Sequence, residues 1–280
     1  MMELGYLRLP RIQVHVAKTV EEALKLLEQD GEQGILAGGT YTVSALAEGK
    51  TKLRKFVDIS RIRELAKLRE ENGKAVVGAL VTHAELSKLL GHRIPALKTF
   101  WKTYSAPTVA NLATVGGSVM LRKSSEDLIS ILLVLDAELR FQTSDGESRV
   151  KLCDFMVEKA SSKKLLTAVS FEQSGSCYFE KLWLGVSRIP IVSVALNVRV
   201  EQRVELARVA VSHKDGNIPN RVYAVERFLE GRVLDDSTVE KAVHQLSQSI
   251  NPLSDIIAPA WYRREAAAVL FKRLLKQAAG

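Results

Sequence analysis

The sequence predicts a mixed α+β chain of two domains, and three observations carry that expectation. Capping boxes with apolar residues at helical spacing alternate with short β-branched runs through the first 172 residues. A polar break, Gln173-Ser-Gly-Ser176, then interrupts the pattern. Beyond it, three alternating strands precede three helical segments. The expected domains are residues 1–172, in two parts of about 1–57 and 58–172, and residues 177–280. At 280 residues the chain is long enough to bury a core in each.

Thr19-Val-Glu-Glu22 is a capping box, because the threonine hydroxyl accepts from the Glu22 amide while the carboxylate reaches back. The helix it opens carries Val20, Ala23, Leu24 and Leu27 on one face and ends near Gly31. A buried strand follows at residues 34–37, another at 55–59, and Ser60 is placed to cap a helix through Leu65. Residues 75–80 read as a strand, and Thr82-His-Ala-Glu85 is a second capping box. A helical region after Pro95 contains Phe100, Trp101 and Tyr104, and Asp127 heads an apolar helix through Leu135. Residues 138–143 and 148–152 form a hairpin about Ser144-Asp-Gly-Glu147, with a further strand at 165–171. In the second domain the strands are 178–182, 193–201 and 204–212, giving a three-stranded antiparallel sheet. Helices follow at 221–230, from the capping box Ser237-Thr-Val-Glu240, and from near Ala260.

A hydrophobic fraction of 46% and a charged fraction of 26% are those of a soluble globular protein. No apolar run reaches membrane-spanning length, and the first ten residues lack a signal-peptide core, so a cytoplasmic protein is expected. The net charge of +8 is spread among acids without a basic arm or aromatic interleaving, which argues against nucleic acid as a partner. Cys153 and Cys177 are isolated, and His15, His83, His92, His213 and His244 are scattered; neither set has metal-ligand spacing.

Two glycine loops stand out, Ile35-Leu-Ala-Gly-Gly-Thr40 and Ala113-Thr-Val-Gly-Gly-Ser118. Glycine lets backbone N–H groups crowd an anion without an intervening Cβ, so the pair reads either as two nests about a pyrophosphate or as two structural turns. Neither matches G-x-x-x-x-G-K-[ST] or G-x-G-x-x-G, which argues against a P-loop and a Rossmann site.

The chain resembles the FAD-binding medium subunit of the molybdenum hydroxylases, the xanthine dehydrogenase and carbon monoxide dehydrogenase type. Leu36-Ala-Gly-Gly-Thr40 matches that family's L-A-G-G-T-D, and Val57-Asp-Ile-Ser60 and Val77-Gly-Ala-Leu-Val-Thr82 match I-D-I-S and I-G-A-L-T. Asn111-Leu-Ala-Thr-Val-Gly-Gly-Ser118 matches R-N-x-G-T-I-G-G-N, Asp127 with Leu135-Asp-Ala137 matches S-D-L…L-D-A, and Trp261-Tyr-Arg-Arg264 matches the Y-R of the last helix. The resemblance implies a two-part FAD domain of the two-loop (PCMH/vanillyl-alcohol-oxidase-like) type, followed by a small C-terminal domain.

It also implies site roles. Ile35, Leu36, Ala37, Gly38, Gly39, Thr40, Tyr41 and Thr42 would wrap the FAD pyrophosphate with amides, and Thr114, Val115, Gly116, Gly117 and Ser118 would form an opposing nest. Asp127 would accept from cofactor hydroxyls, Tyr104 would lie near the isoalloxazine, and Leu165 and Lys181 would line the flavin, with Lys181 countering its negative charge when reduced. Four departures stand against the family pattern: Tyr41 for its Asp, Ser118 for its Asn, Ala110 for its Arg, and Leu121-Arg-Lys-Ser-Ser125 for N-A-S-P. Arg122 and Lys123 would add attraction for the diphosphate.

The function implied is electron transfer within a hetero-oligomer. A molybdenum-cofactor subunit oxidises substrate, an iron–sulfur subunit carries two [2Fe–2S] clusters, and this chain passes electrons through FAD to NAD or another acceptor. No residue of this chain is assigned as a catalytic acid, base, nucleophile or metal ligand. The alternatives are a stand-alone two-loop FAD oxidoreductase and a scaffold subunit that has lost FAD.

Overall fold

The computed structural model describes residues 9–29, 31–104, 106–158, 164–185, 188–213 and 219–279. The first eight residues of the N-terminal segment read above lie outside them. Three sheets follow one another along the chain.

The first unit comprises β1 (Gln13–Val16), α1 (Val20–Leu27), β2 (Gly34–Leu36), α2 (Thr42–Ala47) and β3 (Lys55–Asp58), with the strands parallel in the order β1-β3-β2. Thr19 caps α1 as expected, its Oγ1 accepting from the Glu22 amide at 3.1 Å. The Glu22 carboxylate reaches one residue further back than a standard box, to the Lys18 amide at 2.8 Å. Ser60 caps nothing: a 3-10 turn at Arg63–Ala66 replaces the expected helix, with Ile62 at its N-cap.

The second unit holds β4 (Leu68–Glu71), β5 (Lys74–Gly78), α3 (His83–Leu90), α4 (Pro95–Thr103), α5 (Pro107–Ala110), α6 (Val115–Leu121), α7 (Asp127–Val134), β6 (Glu138–Thr143), β7 (Gly146–Lys151), α8 (Leu152–Val157) and β8 (Leu165–Glu172). Its sheet is antiparallel, in the order β4-β5-β8-β6-β7. The Thr82–Glu85 capping box is complete, with donors satisfied in both directions. Strands β1 and β4 and helix α6 escape the sequence reading because they are short, and β1 and α6 lack a strong apolar period.

The third unit is the antiparallel sheet β12-β11-β10-β9, from β9 (Ser176–Leu184), β10 (Ile189–Val200), β11 (Val204–His213) and β12 (Asn220–Arg221), with α9 (Tyr223–Leu229), α10 (Asp236–Ser249) and α11 (Ala260–Ala279). The sheet has a fourth strand, β12, where a helix start was expected at Arg221. Asp235 rather than Ser237 caps α10, accepting from the Thr238 amide at 2.7 Å. Arg263, the arginine of the last motif, is fully buried, and its guanidinium ties α11 to the Ile191 carbonyl at 2.6 Å and to Asp255.

Helices α9 to α11 cover one face of this sheet through Leu229, Leu246, Phe271 and Leu274. The other face contributes Phe179, Ala195 and Ala210 to the core of the second unit. Helix α7 lies in that shared core with all eight of its residues buried, which is why it is apolar all round rather than amphipathic. Buried Asn197 of β10 donates to the Val134 carbonyl at the end of α7 (3.1 Å) and so pairs an orphan helix acceptor.

Candidate functional site

A cleft of about 450 Å³ opens between the first two units, within the size range of small-molecule and cofactor sites. Strand β2 delivers the first glycine loop to one wall, and the end of β5 with the start of α6 forms the other. An isolated antiparallel bridge between Thr82 and Thr114 fixes α6 against the chain leaving β5.

The glycines divide into packing and lining roles. A Cβ on Gly38 would lie 1.7 Å from the Leu112 carbonyl oxygen, so only glycine lets the two loops touch. A Cβ on Gly116 would meet the Ala79 Cβ and carbonyl, both at 2.8 Å, so Gly116 packs α6 onto β5. Gly39 holds φ of +71°, a conformation natural to glycine. Gly117 would meet only Thr114 Oγ1, at 3.0 Å, and faces the cleft.

The amides of the two loops are in opposite states. Residues 38–42 all line the cleft, and none of their N–H groups has an acceptor among the described residues. In the second loop only the Thr114 N–H lacks an acceptor among the described residues. Val115 N–H donates to the Val81 carbonyl (2.9 Å), Gly116 N–H to Ala79 (2.8 Å), Gly117 N–H to Thr114 Oγ1 (3.1 Å) and Ser118 N–H to the Thr114 carbonyl (3.0 Å). The bridge to β5 and the threonine cap take up the donors that a helix start usually leaves open.

Of the residues expected to bind cofactor, Ile35, Ala37, Gly38, Gly39, Thr40, Tyr41, Thr42, Tyr104, Thr114, Gly116, Gly117, Ser118 and Leu165 meet around this cleft. Leu36 and Val115 are not among the lining residues, and Val115 is buried in the core of the second unit.

Asp127 and Lys181 do not line the cleft either. They pair with each other, Nζ to Oδ2 at 2.6 Å, with side chains 1% and 2% exposed, and Lys181 also donates to the Thr103 carbonyl at 3.3 Å. Burial pushes the Asp127 carboxyl up, against the pull of Lys181 and Ser193. A buried ammonium needs a carboxylate partner, and these two brace α7 against β9 behind the cleft wall. Arg122 is likewise turned away from the cleft, with its guanidinium over the Phe155 ring at 3.7 Å and donating to the Glu158 carbonyl.

Lys123 bridges to the first loop. Its Nζ donates to the Tyr41 hydroxyl at 2.6 Å and lies 3.8 Å from the centre of that ring. Tyr41, the residue that departs from the expected aspartate, thus links the two units beside the cleft.

Sequence reading missed several lining residues, among them Ala79, Met120, Leu121, Glu126 and Lys164. Glu126 adjoins the motif aspartate, and its acidity was the one available signal. Its Oε2 accepts from Ser118 Oγ at 2.6 Å, and Ser118 Oγ lies 3.0 Å from buried His83 Nε2. Tyr104 packs edge-on to the His83 ring with centroids 4.6 Å apart. Burial pushes the Glu126 carboxyl up to about 7, the Ser118 hydroxyl pulling the other way and Asp127 adding to the rise. Burial pushes His83 down to about 4, and it raises the Tyr104 phenol above its ordinary value, with the Glu126 and Asp127 charges adding.

These shifts act on stability in opposite directions. From pH 4.5 to 7 folded Glu126 holds a proton that the unfolded chain has released, so stability falls as pH rises. From pH 4 to 6.5 the unfolded chain holds a proton that folded His83 lacks, so stability falls as pH drops. His83→Gln removes only the second dependence. Between pH 6.5 and 4.5 it is expected to lose about 2 kcal/mol less stability than the unsubstituted chain. Urea denaturation at the two pH values checks this, and equal losses would show that His83 titrates normally.

The family described as the FAD binding domain in molybdopterin dehydrogenase matches residues 10–171, and the CO dehydrogenase flavoprotein C-terminal domain matches residues 179–278. The glyceraldehyde dehydrogenase medium chain of Sulfolobus acidocaldarius is 26% identical over 275 residues, covering 94% of this chain and 96% of that protein. The carbon monoxide dehydrogenase medium chain of Hydrogenophaga pseudoflava is 25% identical over 280 residues, covering 96% and 97%. A chain of quinoline 2-oxidoreductase from Pseudomonas putida 86 superposes with a TM-score of 0.90 at 22% identity, covering 97% of this chain and 98% of that one. Among the described residues no helix is long and apolar enough to cross a membrane.

Proposed function

The chain belongs to the family of FAD-binding subunits of the molybdenum hydroxylases, and from that premise we propose that it passes electrons from [2Fe–2S] clusters of a partner subunit through FAD to NAD or another acceptor. The observation that carries the reading is the row of acceptor-free amides at residues 38–42 along the cleft. Such a row offers positive potential to a diphosphate without a lysine. Gly38 keeps the second loop in contact behind it, so the amide row has a fixed floor. Ile35 and Leu165 supply apolar wall, and Tyr104 presents an aromatic surface.

FAD, when bound, supplies the exchange between one-electron and two-electron carriers. This chain's residues bind and orient it: the first loop holds the diphosphate, the second closes the opposite wall by packing, and Lys164 adds a positive charge to the lining. The site residues of this reading are Ile35, Ala37, Gly38, Gly39, Thr40, Tyr41, Thr42, Tyr104, Thr114, Gly116, Gly117, Ser118 and Leu165. The related proteins named as medium chains support assembly with other subunits; in this reading these are an iron–sulfur subunit and a molybdenum-cofactor subunit, and the complex is cytoplasmic.

An absorption spectrum of the purified full chain, before and after adding FAD, tests this. Bands at about 375 and 450 nm, with FAD and not FMN released on denaturation, are expected. A folded chain that stays colourless in saturating FAD would overturn the reading and leave the scaffold role.

A further inference from the structure

Glu126 is the one carboxylate among the described residues that line the cleft, and the motif gives it no role. Its Oε2 accepts from Ser118 Oγ at 2.6 Å and Ser118 continues to His83 at 3.0 Å, so the carboxyl group is held in the wall and is not a solvated side chain swinging past it.

The charged and titratable groups around it are few. Asp127 follows it on α7, and Lys181 of β9 is paired to Asp127 at 2.6 Å. Lys123, from the segment before α7, is engaged with Tyr41 of the first loop. Tyr104 comes from the end of α4, His83 from α3 through Ser118, and Lys164 lines the same cleft ahead of β8. Burial holds His83 neutral above about pH 4 and raises the Tyr104 phenol, so neither changes charge between pH 6 and 9.

We propose that Glu126 is a cofactor-binding residue that works as the neutral acid, so that the chain takes up one proton from solvent as FAD binds. The inference rests on reading the cleft as the FAD site. A carboxylate in the wall of a cleft that receives a diphosphate opposes it. Protonation removes that charge and converts an acceptor-only group into a donor. Ser118 already serves Oε2, so Oε1 carries the proton. The balance is simple: ionised chain, FAD and one proton give the neutral-acid complex, with no other bond made or broken. The raised affinity of this carboxyl for its proton, to about pH 7 before any ligand arrives, places the uptake at neutral to alkaline pH.

The test is FAD affinity of the full chain at pH 6, 7, 8 and 9, for the unsubstituted chain and for Glu126→Gln. Above pH 7 the unsubstituted chain is expected to weaken by as much as about tenfold per unit, while the glutamine variant, already neutral, stays within about twofold of its pH 6 value. Proton uptake is counted independently on the unsubstituted chain by titration calorimetry at pH 8 in two buffers of different ionisation enthalpy, which keeps the proposal testable if the variant misfolds. FAD binding with a flat pH profile and no uptake would overturn the proposal while leaving the FAD reading intact. The same slope in Glu126→Gln would assign the proton to another group and also overturn it. Absence of FAD binding at every pH would overturn both.

Discussion

Gly38→Ala is expected to abolish retention of FAD and to lower the stability of the chain without cofactor. The added Cβ would sit 1.7 Å from the Leu112 carbonyl oxygen and 2.7 Å from its carbon, both backbone atoms. No rotamer relieves an overlap with backbone, so the two loops must part. Overpacking of this kind costs about 1–3 kcal/mol. It also displaces the amides of residues 38–42 from one another, and a loss of about 100-fold or more in FAD affinity is expected. Gly117→Ala makes the internal control, since its Cβ would meet only Thr114 Oγ1 at 3.0 Å. It is expected to disturb one cap and cost less than about tenfold. Flavin fluorescence titration and thermal melts of both variants decide the matter. A Gly38→Ala chain that binds FAD normally would show that the loops are not in contact there.

Lys181→Met is expected to destabilise the cofactor-free chain by about 3–5 kcal/mol, because it leaves the Asp127 carboxylate buried without its partner. The paired replacement Asp127→Leu with Lys181→Met is expected to recover most of that loss, since removing both charges removes both desolvation costs. Urea denaturation of the two single variants and the double variant forms the cycle that measures the coupling. If the pair served a ligand instead of the fold, Lys181→Met would weaken FAD binding and leave the stability of the cofactor-free chain unchanged.

These two residues mark where local reading ended. Asp127 was found at the head of an apolar helix, and Lys181 on a strand, each from its own surroundings. Their pairing joins positions 54 residues apart, and no periodicity within either segment encodes it. Glu126 was overlooked for a related reason. Its neighbour carried the motif, and its place in the cleft depends on Ser118 and His83 arriving from two other helices. The second glycine loop differs: its composition suits an anion nest, but the chain after β5 and Thr114 take up the amides of residues 115–118 and leave only that of Thr114.

Features with local causes are encoded in the chain segment that carries them. Thr19 and Thr82 start their helices because a hydroxyl lies three residues from the amide it accepts from. The longer strands and helices, the polar stretch near residue 173 and the two glycine loops are legible from spacing and backbone freedom. Long-range packing sets which of those loops keeps most of its amides open, which acid stands in the cleft and which is locked behind it. A donor is free or occupied according to what packs against it, and a carboxyl holds or releases its proton according to how much water it has lost. Both are set by atoms that only the folded chain brings together.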